Sequence, residues 1–281
     1  MTTTPAGISI LILTLDEERN IDAVLDSVAG FDDVVVYDSF SKDRTVEIAR
    51  ARGARVVQRK FDNWAAHHNW ALANIVFENP WIFYIDADER MTPALEAEIR
   101  AIAANPAEER VGFYCGRKNF FMGRWIKRCY PAVPILRFYK PPHVTYERLV
   151  NPITHVTGAV GQLREQFLHY NFSKGLAEWI DKHNKYSSAE ALEAVRVADE
   201  GLARFGDLFR GDKAQRRAAL KRLAWSLPFR PALKFFWLYV VKLGFLDGRP
   251  GYIYCRLLAT YEYFIELKVA EIRMQRAGRQ L

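Results

Sequence analysis

The chain has only three cysteines in 281 residues, Cys115, Cys129 and Cys255, an odd number without metal-ligand spacing. That scarcity excludes a disulfide scaffold or a cysteine-based zinc site and predicts a reducing, cytoplasmic setting. Long hydrophobic runs are missing as well. A membrane-spanning helix needs roughly 20 mostly apolar residues, whereas the nearest candidate, residues 232–245, is shorter and interrupted by Lys234 and Lys242. Residues 8–13 are apolar but lack the basic flank and small-residue cleavage site of a secretion signal. There is no internal repeat, no low-complexity segment and no recognised nucleic-acid module, so no nucleic-acid partner is expected. His155, His169 and His183 are too scattered for a zinc site and read as structural or substrate-facing.

Half of the residues are hydrophobic, enough for one large domain with an appendage. Disorder is therefore expected only in the first few residues and in the basic tail after Arg273. A net charge of +7 and a pI near 9.3 suit anionic ligands or surfaces without identifying them.

Apolar runs at residues 8–13, 34–37, 55–57 and 81–85 read as buried strands. Between them lie helical patterns: Ile21, Val24, Leu25 and Val28 on one face, then residues 45–52, then 64–74. Strands alternating with helices at this spacing predict a Rossmann-like, mostly parallel α/β sheet, whose ligand site lies at the carboxyl ends of the strands. Three polar clusters fall there. The last, Asp86-Ala87-Asp88-Glu89-Arg90, follows the run Trp81-Ile82-Phe83-Tyr84-Ile85. Strand alternation puts residues i and i+2 on one side, so Asp86 and Asp88 can converge on one hard cation. Mg²⁺ or Mn²⁺ held by one or two carboxylates, with water and phosphate oxygens completing its shell, is the usual grip on a nucleoside diphosphate. The other reading is a solvated acidic turn capping the helix that Thr92-Pro93 opens.

The segments Thr14-Leu15-Asp16-Glu17-Glu18-Arg19-Asn20-Ile21, Asp38-Ser39-Phe40-Ser41-Lys42-Asp43-Arg44-Thr45 and Asp86-Ala87-Asp88-Glu89 resemble, in order, the motifs of family 2 glycosyltransferases of the GT-A fold. The resemblance covers about residues 8–186. Gly244-Phe245-Leu246-Asp247-Gly248 is similar to a C-terminal signature of the lipopolysaccharide-core β-glucosyltransferase branch of bacterial envelope enzymes. It implies a GT-A catalytic domain over 1–172, with a nucleotide-sugar half (1–110) and an acceptor half (111–172), and a helical region over 173–281.

Carried over residue by residue, the resemblance assigns Thr14, Leu15, Asp16, Glu17, Asp38 and Ser39 to the nucleoside. Asp86 and Ala87 would lie near the ribose, and Asp88, with Asp86, would bind the metal on the diphosphate. Asp16 stands where relatives usually carry Asn, and His67 where they often show Gln, just before Asn69. His67 and Asn69 are counted with the nucleotide-sugar site, although a lone helical His also fits packing. An inverting transferase further needs a base. Relatives often have a His-Glu pair in the segment that here reads Val150-Asn151-Pro152, so Glu147 is the nearest replacement, with Glu89 and Asp181 in reserve. A surface Glu paired with Arg148 or a neighbouring strand is the plainer reading of Glu147.

Residues 117–128 are basic with interleaved aromatics. Arg117, Trp125, Lys127 and, further on, Arg137 are candidates for the acceptor or the diphosphate, since aromatic faces stack on sugars and cations suit phosphorylated glycans. A solvated basic loop has the same composition. Residues 176–198 and 252–272 are helical in pattern, and 201–211 forms a soft boundary. Lys213, Arg216, Arg217 and Lys221 share one helical face. Together with the charged apolar stretch 232–245, that face predicts a helix at a membrane interface; packing on the core or a homo-oligomer seam is the alternative.

Three classes of function remain on these residues. The first is a metal-dependent inverting transferase moving a sugar from a nucleotide diphosphate sugar, UDP-hexose foremost, to an envelope glycan or lipid-linked acceptor beside a membrane. The second, a sugar nucleotidyltransferase, would place a Gly-rich basic loop after the first strand, where this chain has Thr14-Leu15-Asp16-Glu17-Glu18. The third is a non-catalytic relative that binds a membrane or partner.

Overall fold

The computed structural model describes residues 7–130, 133–147, 153–199, 216, 227 and 229–280. Two compact units divide the chain: residues 1–120 with 132–173, and residues 121–131 with 174–281. The basic segment thus does not stay within one acceptor half, because residues 121–131 belong to the second unit. The predicted boundary at 201–211, Arg148, Val150-Asn151-Pro152 and all of the basic face except Arg216 lie outside the described residues.

In the first unit, β1 (Ile8–Thr14), β2 (Asp33–Asp38), β3 (Arg55–Gln58) and β4 (Trp81–Asp86) form one parallel block with β1 between β2 and β4. The connections are α1 (Ile21–Ser27), α2 (Thr45–Ala51) and α3 (Trp64–Asn74). After a short β5 (Glu89–Arg90) and α4 (Pro93–Ala103), the chain builds β6 (Gly112–Phe121), β8 (Ile135–Tyr139) and β11 (Val160–His169). Short β7 (Arg124–Trp125) lies in the second unit, and a separate antiparallel pair is made of β9 (Val144–Glu147) and β10 (Ile153–Val156). The main sheet runs β3-β2-β1-β4-β8-β6-β11-β5. Its block β3 to β4 is parallel, and β8 is antiparallel to both neighbours.

Strand alternation sets the two layers. Ile8, Ile10 and Ile12 of β1, with Trp81, Phe83 and Ile85 of β4, pack into one core with Val24, Leu95 and Ile99 of α1 and α4. Leu11, Leu13, Ile82 and Tyr84 point the other way, toward Ala65 and Ala71 of α3. Each fully buried Ile, Leu or Phe contributes about 1.5–3 kcal/mol. Pro93 at the first turn of α4, with the Thr92 hydroxyl accepting from the Leu95 N–H, starts that helix in the manner its sequence predicts.

The second unit contains α5 (Leu176–Asp199), α6 (Arg230–Phe236), a π turn (Trp237–Val241), a 3₁₀ turn (Gly244–Asp247) and α7 (Gly248–Arg276). The expected single helix over 232–245 is therefore three pieces. Leu243 adopts a left-handed φ of 58° and ends the helical path. A Cβ on Gly244 would lie 2.7 Å from the Leu238 carbonyl oxygen, so only glycine admits this close approach. Buried Asp247 then accepts from the backbone N–H groups of Lys127, Arg128 and Cys129 at 3.0, 2.9 and 3.1 Å. These contacts are the physical content of the Gly244–Asp247 signature: a tight turn whose carboxylate anchors the basic segment.

Candidate active site

The parallel register places the three polar clusters side by side. Thr14 pairs with Asp38 across β1 and β2, and Leu13 pairs with Asp86 across β1 and β4. From β1 the chain winds outward on one side through β2 and β3, then returns to β4 on the other. That reversal makes the β1/β4 edge a topological switch point, where α/β sheets bind ligands beyond their strand ends.

Asp38 is fully buried and holds this corner together. Its carboxylate accepts from Thr14 Oγ1 at 3.0 Å, from the Ser41 backbone N–H at 2.9 Å and from Gln58 Nε2 at 3.0 Å, besides the Ser41 hydroxyl. Both Asp38 oxygens are thus engaged within the protein and clamp the two loops together. Asp16, with φ of 54°, accepts from the Lys42 N–H at 2.7 Å while its own N–H donates to Ser41 Oγ at 2.8 Å. Asp, like Asn, tolerates this left-handed backbone. The Glu17 N–H donates to Thr45 Oγ1 at 2.7 Å, and the Ser39 N–H to the Thr14 carbonyl at 2.9 Å. Leu15 and Phe40 remain exposed on these two loops, and Phe40 also has a positive φ of 62°.

Asp86 and Asp88 separate in role. Tyr84 Oη donates to one Asp86 oxygen at 2.6 Å and Arg137 Nη2 to the other at 2.9 Å. The same Nη2 donates to Glu89 Oε1 at 2.7 Å, and Glu89 Oε2 accepts from the Asp86 N–H at 2.9 Å. Burial pushes Asp86 up, yet the Arg137 charge and the Tyr84 and Arg137 hydrogen bonds outweigh it and hold the carboxyl below its ordinary range. For Glu89, burial dominates and raises it well above the ordinary value. The expected metal ligand Asp86 is therefore committed to a buried cation. Arg137, expected at an acceptor, is only 2% exposed and lies between the rings of Tyr84 and Phe167, 4.0 and 5.1 Å from their centroids. Glu89, at 1% exposed and bound to Arg137, is likewise no surface base.

Asp88 faces a partner that the spacing of histidines concealed. Strands β5 and β11 pair with Glu89 opposite His169, and the Tyr170 N–H donates to the Asp88 carbonyl at 2.8 Å. This brings His169 Nε2 within 3.5 Å of Asp88 Oδ2. On the far side of the ring, His169 Nδ1 lies 2.8 Å from Asn119 Oδ1. A proton on Nδ1 donated to that amide oxygen would leave the Nε2 lone pair for a cation shared with Asp88, the arrangement that orients a metal-binding histidine. Among the described residues no group of three or more His, Cys, Asp or Glu gathers as a metal site. An Asp–His pair still fits Mg²⁺ or Mn²⁺ when diphosphate and water fill the other positions. His169 closes an apolar strand run as Asp86 does, and that strand-end position was its legible signal.

Asn69 contacts the backbone of β9: Nδ2 donates to the Tyr146 carbonyl at 2.7 Å and Oδ1 accepts from the Tyr146 N–H at 2.8 Å. That pair of bonds clamps α3 to β9. Tyr146 stacks on His68, centroids 4.5 Å apart, and His68 meets Tyr84 edge-on at 4.9 Å. A packed chain of rings therefore runs from Asp86 to the residue before Glu147. Glu147 itself is exposed, with Oε2 3.1 Å from His155 Nε2 on the paired strand. Arg117 is half-buried on β6, whereas Trp125 and Lys127 belong to the second unit, where the Lys127 ammonium sits 4.5 Å from the Trp125 ring centroid. Ala87 is buried and offers only its backbone.

His67 and His68 are both buried on α3. His67 stacks on Tyr37 at 4.1 Å, with Nε2 3.4 Å from Ser39 Oγ and Nδ1 3.2 Å from Arg59 Nη1. Burial lowers both imidazoles to about 4. They fold neutral, so they contribute stability fully above the unfolded value near 6.5 and lose it as pH falls toward 4. Melting between pH 7.5 and 5, taken as about those values, should show a falling Tm for the native chain and a shallower fall for His68→Phe.

Sequence comparison agrees with this geometry. The profile of Glycosyl transferase family 2 matches residues 9–169, more than half of the chain. The chain belongs to that family. It is 25% identical over 283 aligned positions to an uncharacterized glycosyltransferase of Rickettsia bellii strain RML369-C, covering 95% of this chain and 87% of that one. It is 24% identical to the lipopolysaccharide core biosynthesis glycosyltransferase LpsC of Rhizobium meliloti strain 1021, over 93% and 91% of the two chains. Among solved structures, glucosyl-3-phosphoglycerate synthase from Mycobacterium tuberculosis, in complex with Mn²⁺, uridine diphosphate and glucosyl-3-phosphoglycerate, aligns with a TM-score of 0.33 at 24% identity, covering 42% of this chain and 45% of that chain. The alignment thus spans less than half of that synthase.

Proposed function

We propose that this family 2 member is an inverting hexosyltransferase that moves a sugar from a nucleotide diphosphate sugar, UDP-hexose foremost, to a cell-envelope glycan or lipid-linked acceptor at the cytoplasmic face of a membrane. The observation that carries the reading is the row of strand ends Thr14, Asp38 and Asp86, continued by Asp88 beside His169. In this reading the first unit is the catalytic domain.

The residues divide the work. The loops clamped by Asp38 and Asp16 receive the nucleoside, with Ser39 and His67 along their floor. Asp88 and the Nε2 of His169 hold a divalent cofactor, Mg²⁺ or Mn²⁺, and Asn119 fixes the imidazole that does so. When bound, that ion supplies Lewis-acid stabilisation of the departing diphosphate, worth several kcal/mol. Arg137 keeps Asp86 ionised and pins the turn that presents Asp88. The acceptor hydroxyl oxygen attacks the anomeric carbon while the bond to the diphosphate oxygen breaks, the electron pair leaves with the diphosphate, and Glu147 takes the hydroxyl proton.

A positioned general base contributes about 10²–10⁴-fold. Glu147→Gln should therefore lower transfer by about that factor and leave UDP affinity in Mn²⁺ unchanged by calorimetry. Near-normal turnover in the variant removes Glu147 from the reaction. Screening nucleotide sugars for slow hydrolysis in Mn²⁺ tests the donor class itself; a chain that hydrolyses none of them behaves as the non-catalytic relative.

A further inference from the structure

Among its described residues, the second unit presents an exposed apolar surface. Along the helical path from α6 into the π turn, Leu233, Phe236, Trp237, Val240 and Val241 recur at offsets of 3, 4, 7 and 8, the spacing of one helix face. All five are 42–56% exposed. Phe229 before them and Leu243, Phe245 and Leu246 after them are exposed too. The inward residues of the same path are the ones that pack: Leu238 is buried, and Phe235 and Tyr239 meet the Tyr252 ring at 5.9 and 5.7 Å. An exposed apolar set of this extent marks a docking surface.

Charge selects the occupant. Residues 213–246 carry eight Lys or Arg and no Asp or Glu. The first acidic residue beyond them, Asp247, is buried against backbone N–H groups. Lys234 and Lys242 flank the apolar face, and the Lys242 ammonium lies 5.4 Å from the Trp237 ring centroid. Trp and Phe beside Lys, on a helix too short to span, is the composition of a segment that lies in the headgroup boundary of a bilayer. Among the described residues no helix is long and apolar enough to cross a membrane.

We propose that the face made by Leu233, Phe236, Trp237, Val240 and Val241 inserts into the surface of an anionic lipid bilayer, with Lys234 and Lys242 on its headgroups. Its biological purpose rests on the envelope-acceptor reading above, but the binding itself does not depend on sugar transfer. The full chain should float with phosphatidylglycerol/phosphatidylethanolamine vesicles at low salt and far less with phosphatidylcholine. Phe236→Ser/Trp237→Ser should lose vesicle partition at least about tenfold at any salt, while Lys234→Glu/Lys242→Glu should lose it mainly at low salt. UDP binding in Mn²⁺, measured on each variant, reports folding and the catalytic reading separately. Failure of the native chain to float, or unchanged flotation of the Phe236/Trp237 variant, overturns the proposal. So does a native dimer in light scattering that this variant dissociates, since the face would then join two copies.

Discussion

Replacing Asp88 with asparagine is expected to lower transferase turnover by about 10³-fold. The substitution keeps the shape of the side chain and removes one charge. If several kcal/mol of leaving-group stabilisation depend on a cation held by that charge, each 1.4 kcal/mol lost costs about tenfold in rate. Asp88 is 28% exposed and its neighbour is His169 Nε2, so little folding energy rides on it. The Asn variant should keep its native Tm and its weak metal-free UDP affinity, and lose the increment that Mn²⁺ adds. His169→Ala should lose the same increment. Asn119→Ala removes the partner of His169 Nδ1, and its expected cost is smaller, about 10–100-fold.

Arg137→Met is expected to destabilise the first unit by about 3–5 kcal/mol, because it strips the cation from the half-buried Asp86 carboxylate and from buried Glu89 beside it. Asp86 and Glu89 share that single guanidinium at 2.9 and 2.7 Å. A buried pair is a poor source of net stability when exchanged whole for apolar residues, but breaking one side leaves charge uncompensated. The double variant Arg137→Met/Glu89→Met should therefore recover part of the loss, and urea midpoints across the cycle measure the coupling. Arg137→Lys keeps the charge but not the geometry by which the single Nη2 reaches both acids, so it should fall between the native chain and Arg137→Met. A midpoint for Arg137→Met equal to the native value would show that the network carries no weight.

The strands and helices of the first unit were legible because each apolar run has one period and ends in polar residues: Ile8 to Thr14, Asp33 to Asp38 and Trp81 to Asp86 each finish on a site residue. The same rule applied to Phe167-Leu168-His169 would have singled out His169, but its partners Asp88 and Asn119 are distant in sequence and only the β5–β11–β6 pairing joins them. Arg137 misled for a related reason. A cation inside Leu136-Arg137-Phe138-Tyr139 looks like a surface residue until β4 and β6 pair along both edges of β8 and the rings of Tyr84 and Phe167 cover its side chain. Asp38 and Asn69 have polar partners on other loops, and composition alone cannot tell a carboxylate or amide that binds ligand from one that braces the chain. Leu243 escaped notice because a left-handed leucine has no sequence signal of its own; Gly244 beside it was the visible mark.

Anomalous scattering from crystals of the full chain soaked with Mn²⁺ and uridine diphosphate tests the central claim most directly. The account predicts one manganese peak between the Asp88 carboxylate and His169 Nε2, with diphosphate oxygens completing its shell and Asp86 still on Arg137. A diphosphate bound without a peak at that position, or a manganese held by Asp86 with His169 turned away, would contradict it.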